Sequence, residues 1–86
     1  MKITSEIEDI LRREADNIQE VELTYLNGGI ARGSIKRLKT DPLDLIIRKQ
    51  SENRRGGSKH HAVFDHVTRI VLTMKDNTVL EWKDIK

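Results

Sequence analysis

The chain has 86 residues, 35% of them charged, with a formal net charge of only +2. This bounds it to one domain with a thin core and excludes a protein that coats nucleic acid over its whole surface. It has no cysteine, which removes disulfides, thiol nucleophiles and cysteine-based zinc sites, and one residue each of Tyr, Phe and Trp, too few for a base-stacking platform.

No apolar run approaches the roughly 20 residues of a membrane span. The stretch "MKITSEIEDIL" lacks the continuous apolar region of a signal peptide. No membrane partner is expected, and the expected location is the cytoplasm.

In chain order, residues 5–17 read as a helix. "SEIE" is a capping box in which Ser5 and Glu8 satisfy each other's backbone N–H groups. Ile7, Ile10, Leu11 and Ile18 recur at helical spacing, and acids precede Arg12 and Arg13 in the order the helix dipole favours. The period then changes to two: in "QEVELTYL", Val21, Leu23 and Tyr25 share an inner face. "NGG" predicts a hairpin with a type I′ turn, which needs positive φ at two positions.

The returning strand, "IARGSIKRL", keeps Ala31, Gly33 and Ile35 in phase and then slips to Leu38, so Gly33 marks a bend or bulge. "KTDPLD" is a turn, and "LDLIIRK" a strand with Leu43, Leu45 and Ile47 inward. "QSENRRGGSK" reads as a flexible loop, and "HHAVF" resumes β structure up to a break at Asp65–Thr68. "RIVLTM" and "TVLEW" form a second hairpin around Lys75-Asp76-Asn77, with Trp82 and Leu80 packing the last strand inward. The outline is mainly β with an N-terminal α-helix: a small, strongly bent antiparallel SH3-like barrel, which would leave no exposed sheet edge.

The fragments "ILRRE", "VELTYLNGGIARGSI", "LDLIIRK" and "AVFDHVTRIV", in that order and spacing, resemble the Sm/LSm superfamily and most of all its bacterial Hfq-like branch. The resemblance spans roughly residues 10 to 72. It implies a single Sm-like domain over 1–86: a helix over 5–17, a barrel over 19–74, and over 75–86 a strand additional to the family barrel. It also implies single-stranded RNA as a partner and a homo-oligomer formed through outer strands. The additional strand either covers that edge and leaves a monomer or changes the ring. Two positions depart from the family pattern. Asp44 stands where a base-contacting asparagine is expected, and Asp65 replaces the lysine that precedes the histidine retained as His66.

The three histidines fall within "HHAVFDHV". His60 and His61 are adjacent in a strand and so face opposite ways, and His66 lies past a break, so no metal site and no cofactor is expected. No nucleophile constellation or phosphate-cradling glycine loop appears, so no enzyme is expected either. His66 reads as a pore or base contact by the resemblance, or as a turn histidine bonding its own backbone. The basic residues carry the functional reading: Arg48, Lys49, Arg54, Arg55 and Lys59 are expected to contact phosphates, with Lys36, Arg37 and Lys39 on the same rim. The expected function is an RNA-binding module. The alternative is a non-enzymatic protein-interaction or assembly module on the same scaffold, with a protein partner.

Overall fold

The computed structural model of the chain describes residues 1–49 and 58–84. It begins with helix α1 (Ser5–Glu14), continued by a 3₁₀ turn over Ala15–Asn17. The strands are β1 (Ile18–Tyr25), β2 (Ile30–Lys39), β3 (Asp44–Lys49), β4 (Ser58–His61), β5 (Val67–Met74) and β6 (Val79–Lys83). A second 3₁₀ turn, Phe64–His66, precedes β5.

The helix starts one residue earlier than the capping-box reading. Thr4 is the cap, its hydroxyl accepting from the Ile7 N–H at 3.3 Å, so Glu8 is one residue too far along to complete a box with it. Ile18 is not part of the helical stripe; it opens β1 and enters the core from there. Ile7 and Leu11, both almost wholly buried, hold the helix on the sheet, at about 2 kcal/mol for each such side chain removed from water.

The six strands form one antiparallel sheet in the order β4-β3-β2-β1-β5-β6. It is not closed into a barrel: among the described residues β4 and β6 each have one neighbour only. The sheet curls nonetheless. Residues 62–66 alone join β4 to β5, which stand four places apart in the sheet. A flat sheet would separate them by about 19 Å. The curl brings Tyr25, at the end of β1, against β4: its hydroxyl is 2.5 Å from His60 Nε2. The same hydroxyl accepts from the Val63 N–H at 3.3 Å. Side chains thus tie together strands that share no ladder. Val21, Leu23, Ala31, Leu45, Ile47, Val67, Ile70 and Leu72 fill the concave side.

Two local features create the curl. At Gly33 an added Cβ would lie 2.0 Å from the Arg48 carbonyl oxygen and 2.8 Å from Ile47 Cγ2, so β2 and β3 approach there as only glycine permits. Two residues on, the register shifts: Ile35 faces Ile47 while Arg37 faces Ile46, which leaves Lys36 as the extra residue of a bulge. This is the physical content of the slip from Ile35 to Leu38. Both stay half-buried, and Lys36 and Arg37 are both exposed.

The two hairpins share one turn geometry, and it is not the type I′ turn. Leu26-Asn27-Gly28 joins β1 to β2 with Gly28 at φ +85° and no positive φ at Asn27. Lys75-Asp76-Asn77 joins β5 to β6 with Asn77 at φ +71°. In each, the third loop residue takes the left-handed conformation, as in a three-residue hairpin with an adjoining bulge. Trp82 and Leu80 pack β6 against the core from opposite Ile70 and Leu72.

Candidate functional site

Alternation along the strands sorts the charged residues onto the outward, convex side. Glu22 of β1 faces Arg32 of β2, Ser34 of β2 faces Arg48 of β3, and Arg48 faces Lys59 of β4. The bulge turns Lys36 to this same face, near Lys59 and Arg48. The neighbouring Lys59 side chain, then desolvation, then the charges of Lys59 and Arg48, lower the Lys36 pKa from the ordinary lysine value. Among the described residues, no carboxylate forms an ion pair with Lys36, Arg48 or Lys59.

A groove of about 680 Å³ runs beside this row, with Glu20, Glu22 and Arg32 on one bank and Ser34, Arg48 and Lys49 on the other. On its first bank Arg32 is shared between two acids, 3.8 Å from Glu20 and 3.6 Å from Glu22.

The expected phosphate-contacting residues therefore divide. Arg48 and Lys59 are neighbours on one face, and Lys59 belongs to β4 instead of to a loop. Lys49, one residue along β3, alternates with Arg48 and stands near His60, yet it borders the same groove. Arg54 and Arg55 lie outside the described residues. Lys36, read from sequence only as a member of a neighbouring basic run, is the third cation of the cluster. The phase slip in "SIKRL" was the signal that could have placed it, because a bulge turns two consecutive residues to the same side.

The histidines have three separate environments. His60 is half-buried beside Tyr25 with the two rings edge to face. Burial, with Lys49 and His61 as nearby positive groups, pulls its pKa below the usual imidazole value. His61 faces outward and its Nε2 meets the Asp44 carboxylate, a side-chain contact from β4 across to β3. His66 is exposed; its backbone N–H donates to the Val63 carbonyl at 3.0 Å, and its carbonyl accepts from the Leu26 N–H at 2.8 Å. It lines a hollow of about 270 Å³ with Tyr25, Leu26, Asn27 and Val63, sharing no residue with the cation groove. Tyr25 packs against the core, as its place on the Val21 and Leu23 face predicts, and its hydroxyl adds a polar tie across the curl that alternation alone does not reveal.

Among the described residues no three His, Asp or Glu side chains gather as a metal site, and no helix is long and apolar enough to cross a membrane. No protein-family model, curated protein or solved structure significantly matches the chain.

Proposed function

We propose that this protein is a non-catalytic RNA-binding module of Sm-like type, which holds single-stranded RNA by its phosphates on the outward face of β2, β3 and β4. The observation that carries this reading is the row of Lys36, Arg48 and Lys59, gathered by register and bulge with no carboxylate paired to them among the described residues. Carboxylates stand elsewhere on the same face, at Glu20, Glu22, Glu81 and Asp44, and each of them pairs with another group. Such a row attracts phosphates in a salt-dependent and largely sequence-blind way.

The Sm-like part of the reading is supported by the helix preceding a curled antiparallel meander, by the bend at Gly33, and by the short turn at Phe64–His66. Assembly with further copies through the strand edges of β4 and β6 belongs to the same proposal.

A second reading, a protein-interaction module, is favoured by a different observation: Leu26 and Val63 are 59% and 48% exposed and flank the hollow at His66. An apolar surface of this kind suits a protein partner.

Fluorescence anisotropy with short U-rich, A-rich and mixed single-stranded RNAs, over a salt series, separates the two. Light scattering in the same buffer gives the mass. Binding to all three RNAs that falls steeply with salt is the expected result. No binding at low salt ends the RNA reading and leaves the apolar hollow as the surface to pursue.

A further inference from the structure

Lys36, Arg48 and Lys59 stand on three successive strands, about 4.8 Å apart from one strand to the next. Arg48 and Lys59 are direct cross-strand partners, and like charges so placed work against the sheet. The bulge turns Lys36 to the same face, close enough to Lys59 and Arg48 for their charges to act on it. On the other half of this face such crowding is relieved, because Glu22 lies between Arg32 and Arg69. The cation row is a local conflict with the sheet's own stability, of the kind found where a protein is shaped for a ligand.

The geometry favours one kind of phosphate. An internal phosphodiester carries one negative charge and passes the next charge along the strand. A phosphate monoester brings a charge of about −1.5 to −2 and three acceptor oxygens to a single point. Three cations gathered within neighbouring strands match the second. The Arg48 guanidinium offers a planar fork to two oxygens, and the Lys36 and Lys59 ammonium groups act as point charges on the remainder. Ser34, in register with Arg48, places a hydroxyl in the same row.

We propose that Lys36, Arg48 and Lys59 form a binding site for a phosphate monoester, the group that terminates a phosphorylated RNA strand. This rests on the RNA-binding reading for its ligand and adds the strand end as the point of recognition.

The test compares one mixed-sequence RNA, internally labelled, bearing a 5′-phosphate, a 3′-phosphate or hydroxyls at both ends. Binding is measured by anisotropy to the unaltered protein and to the double variant Lys36→Ala, Lys59→Ala. A parallel arm measures the melting temperature of both proteins with adenosine 5′-monophosphate or adenosine. A terminal phosphate is expected to tighten binding about tenfold in the unaltered protein, and by less than about twofold in the variant. Whichever end is preferred identifies the strand polarity at the site. Equal affinity for phosphorylated and hydroxyl-ended RNA, with both weakened in the variant, overturns the monoester site while leaving RNA binding intact. If no RNA binds, but the monophosphate raises the melting temperature of the unaltered protein alone, the site stands with a free phosphomonoester as its ligand and the RNA reading falls. Indifference to every probe overturns both.

Discussion

On the β1–β5–β6 side of the outward face, each cation has an acid beside it. Arg69 contacts Glu81 and lies 3.8 Å from Glu22, Lys83 lies 3.8 Å from Glu81, and Arg32, on the part of β2 that adjoins β1, reaches both Glu20 and Glu22. On the β2–β3–β4 side, Lys36, Arg48 and Lys59 form a row with no carboxylate paired to it among the described residues. Both halves belong to one sheet and use the same exposed strand positions. Exposed ion pairs contribute at most about 1 kcal/mol each, so the difference has little weight in stability. It has weight in the field. The paired half presents almost no net charge to an approaching anion, and the unpaired half presents several positive charges at one place. A net charge of +2 conceals this, because it averages the two halves.

The largest expected effect comes from breaking the joint between them. Gly33→Val would drive the new side chain into the Arg48 carbonyl, flatten the bend and separate the cations, at a cost of about 3 kcal/mol. Urea denaturation measures the loss. A variant of unchanged midpoint would show that the bend does not depend on that close approach.

Next, removing charge should act on binding according to the half it comes from. Arg48→Ala should lower RNA affinity for every sequence and reduce the logarithmic salt slope by roughly 0.7. Lys83→Ala should change neither, since its charge is already met by Glu81. Equal losses from the two would erase the distinction between the halves.

A smaller effect, in the opposite direction, is expected from Glu22→Gln. It removes one acid from between Arg32 and Arg69 and turns part of the neutral half cationic, so RNA should bind about two- to threefold more tightly at low salt. Anisotropy with the same oligonucleotides reads it.

Smallest is a pH dependence seated on the concave side. Burial, Lys49 and His61 hold His60 below the usual imidazole pKa, so the folded chain keeps it neutral where the unfolded chain takes up a proton. Its contribution is fully present above about pH 6.5, the value for an unperturbed histidine, and is lost as pH falls through the lower folded value. Urea midpoints measured from pH 7.5 to 5 should decline, and His60→Gln should remove part of that decline. An identical decline in the variant would assign the effect to other groups.

Much of the fold was legible in the chain because neighbouring residues decide it. A period of two in "VELTY" and "RIVLTM", a helical stripe at Ile7 and Leu11, and turn residues at Gly28 and Asn77 act over a few positions, and the elements lie where those patterns fall. Even the bulge was present as the slip between Ile35 and Leu38. Finer points were misread for local reasons as well. Thr4 and Ser5 are both good caps, and a two-residue and a three-residue hairpin both use glycine at the same place.

The site was less legible, because it is assembled across strands. Sequence puts Arg48, Lys49 and Lys59 in one basic run but gives no reason why two of them should touch; the β3–β4 register makes Arg48 and Lys59, eleven positions apart, direct cross-strand neighbours. Alternation and composition by themselves determined a helix, a set of short strands and an excess of positive charge in the middle of the chain. Only the tertiary structure decided that the sheet curls without closing, that Tyr25 reaches His60 across it, and that Lys36 lies near Lys59. The physical reason is that hydrophobic periodicity fixes which way a side chain points, whereas strand order and register fix what it points beside, and these are properties of pairs of strands that no single segment contains.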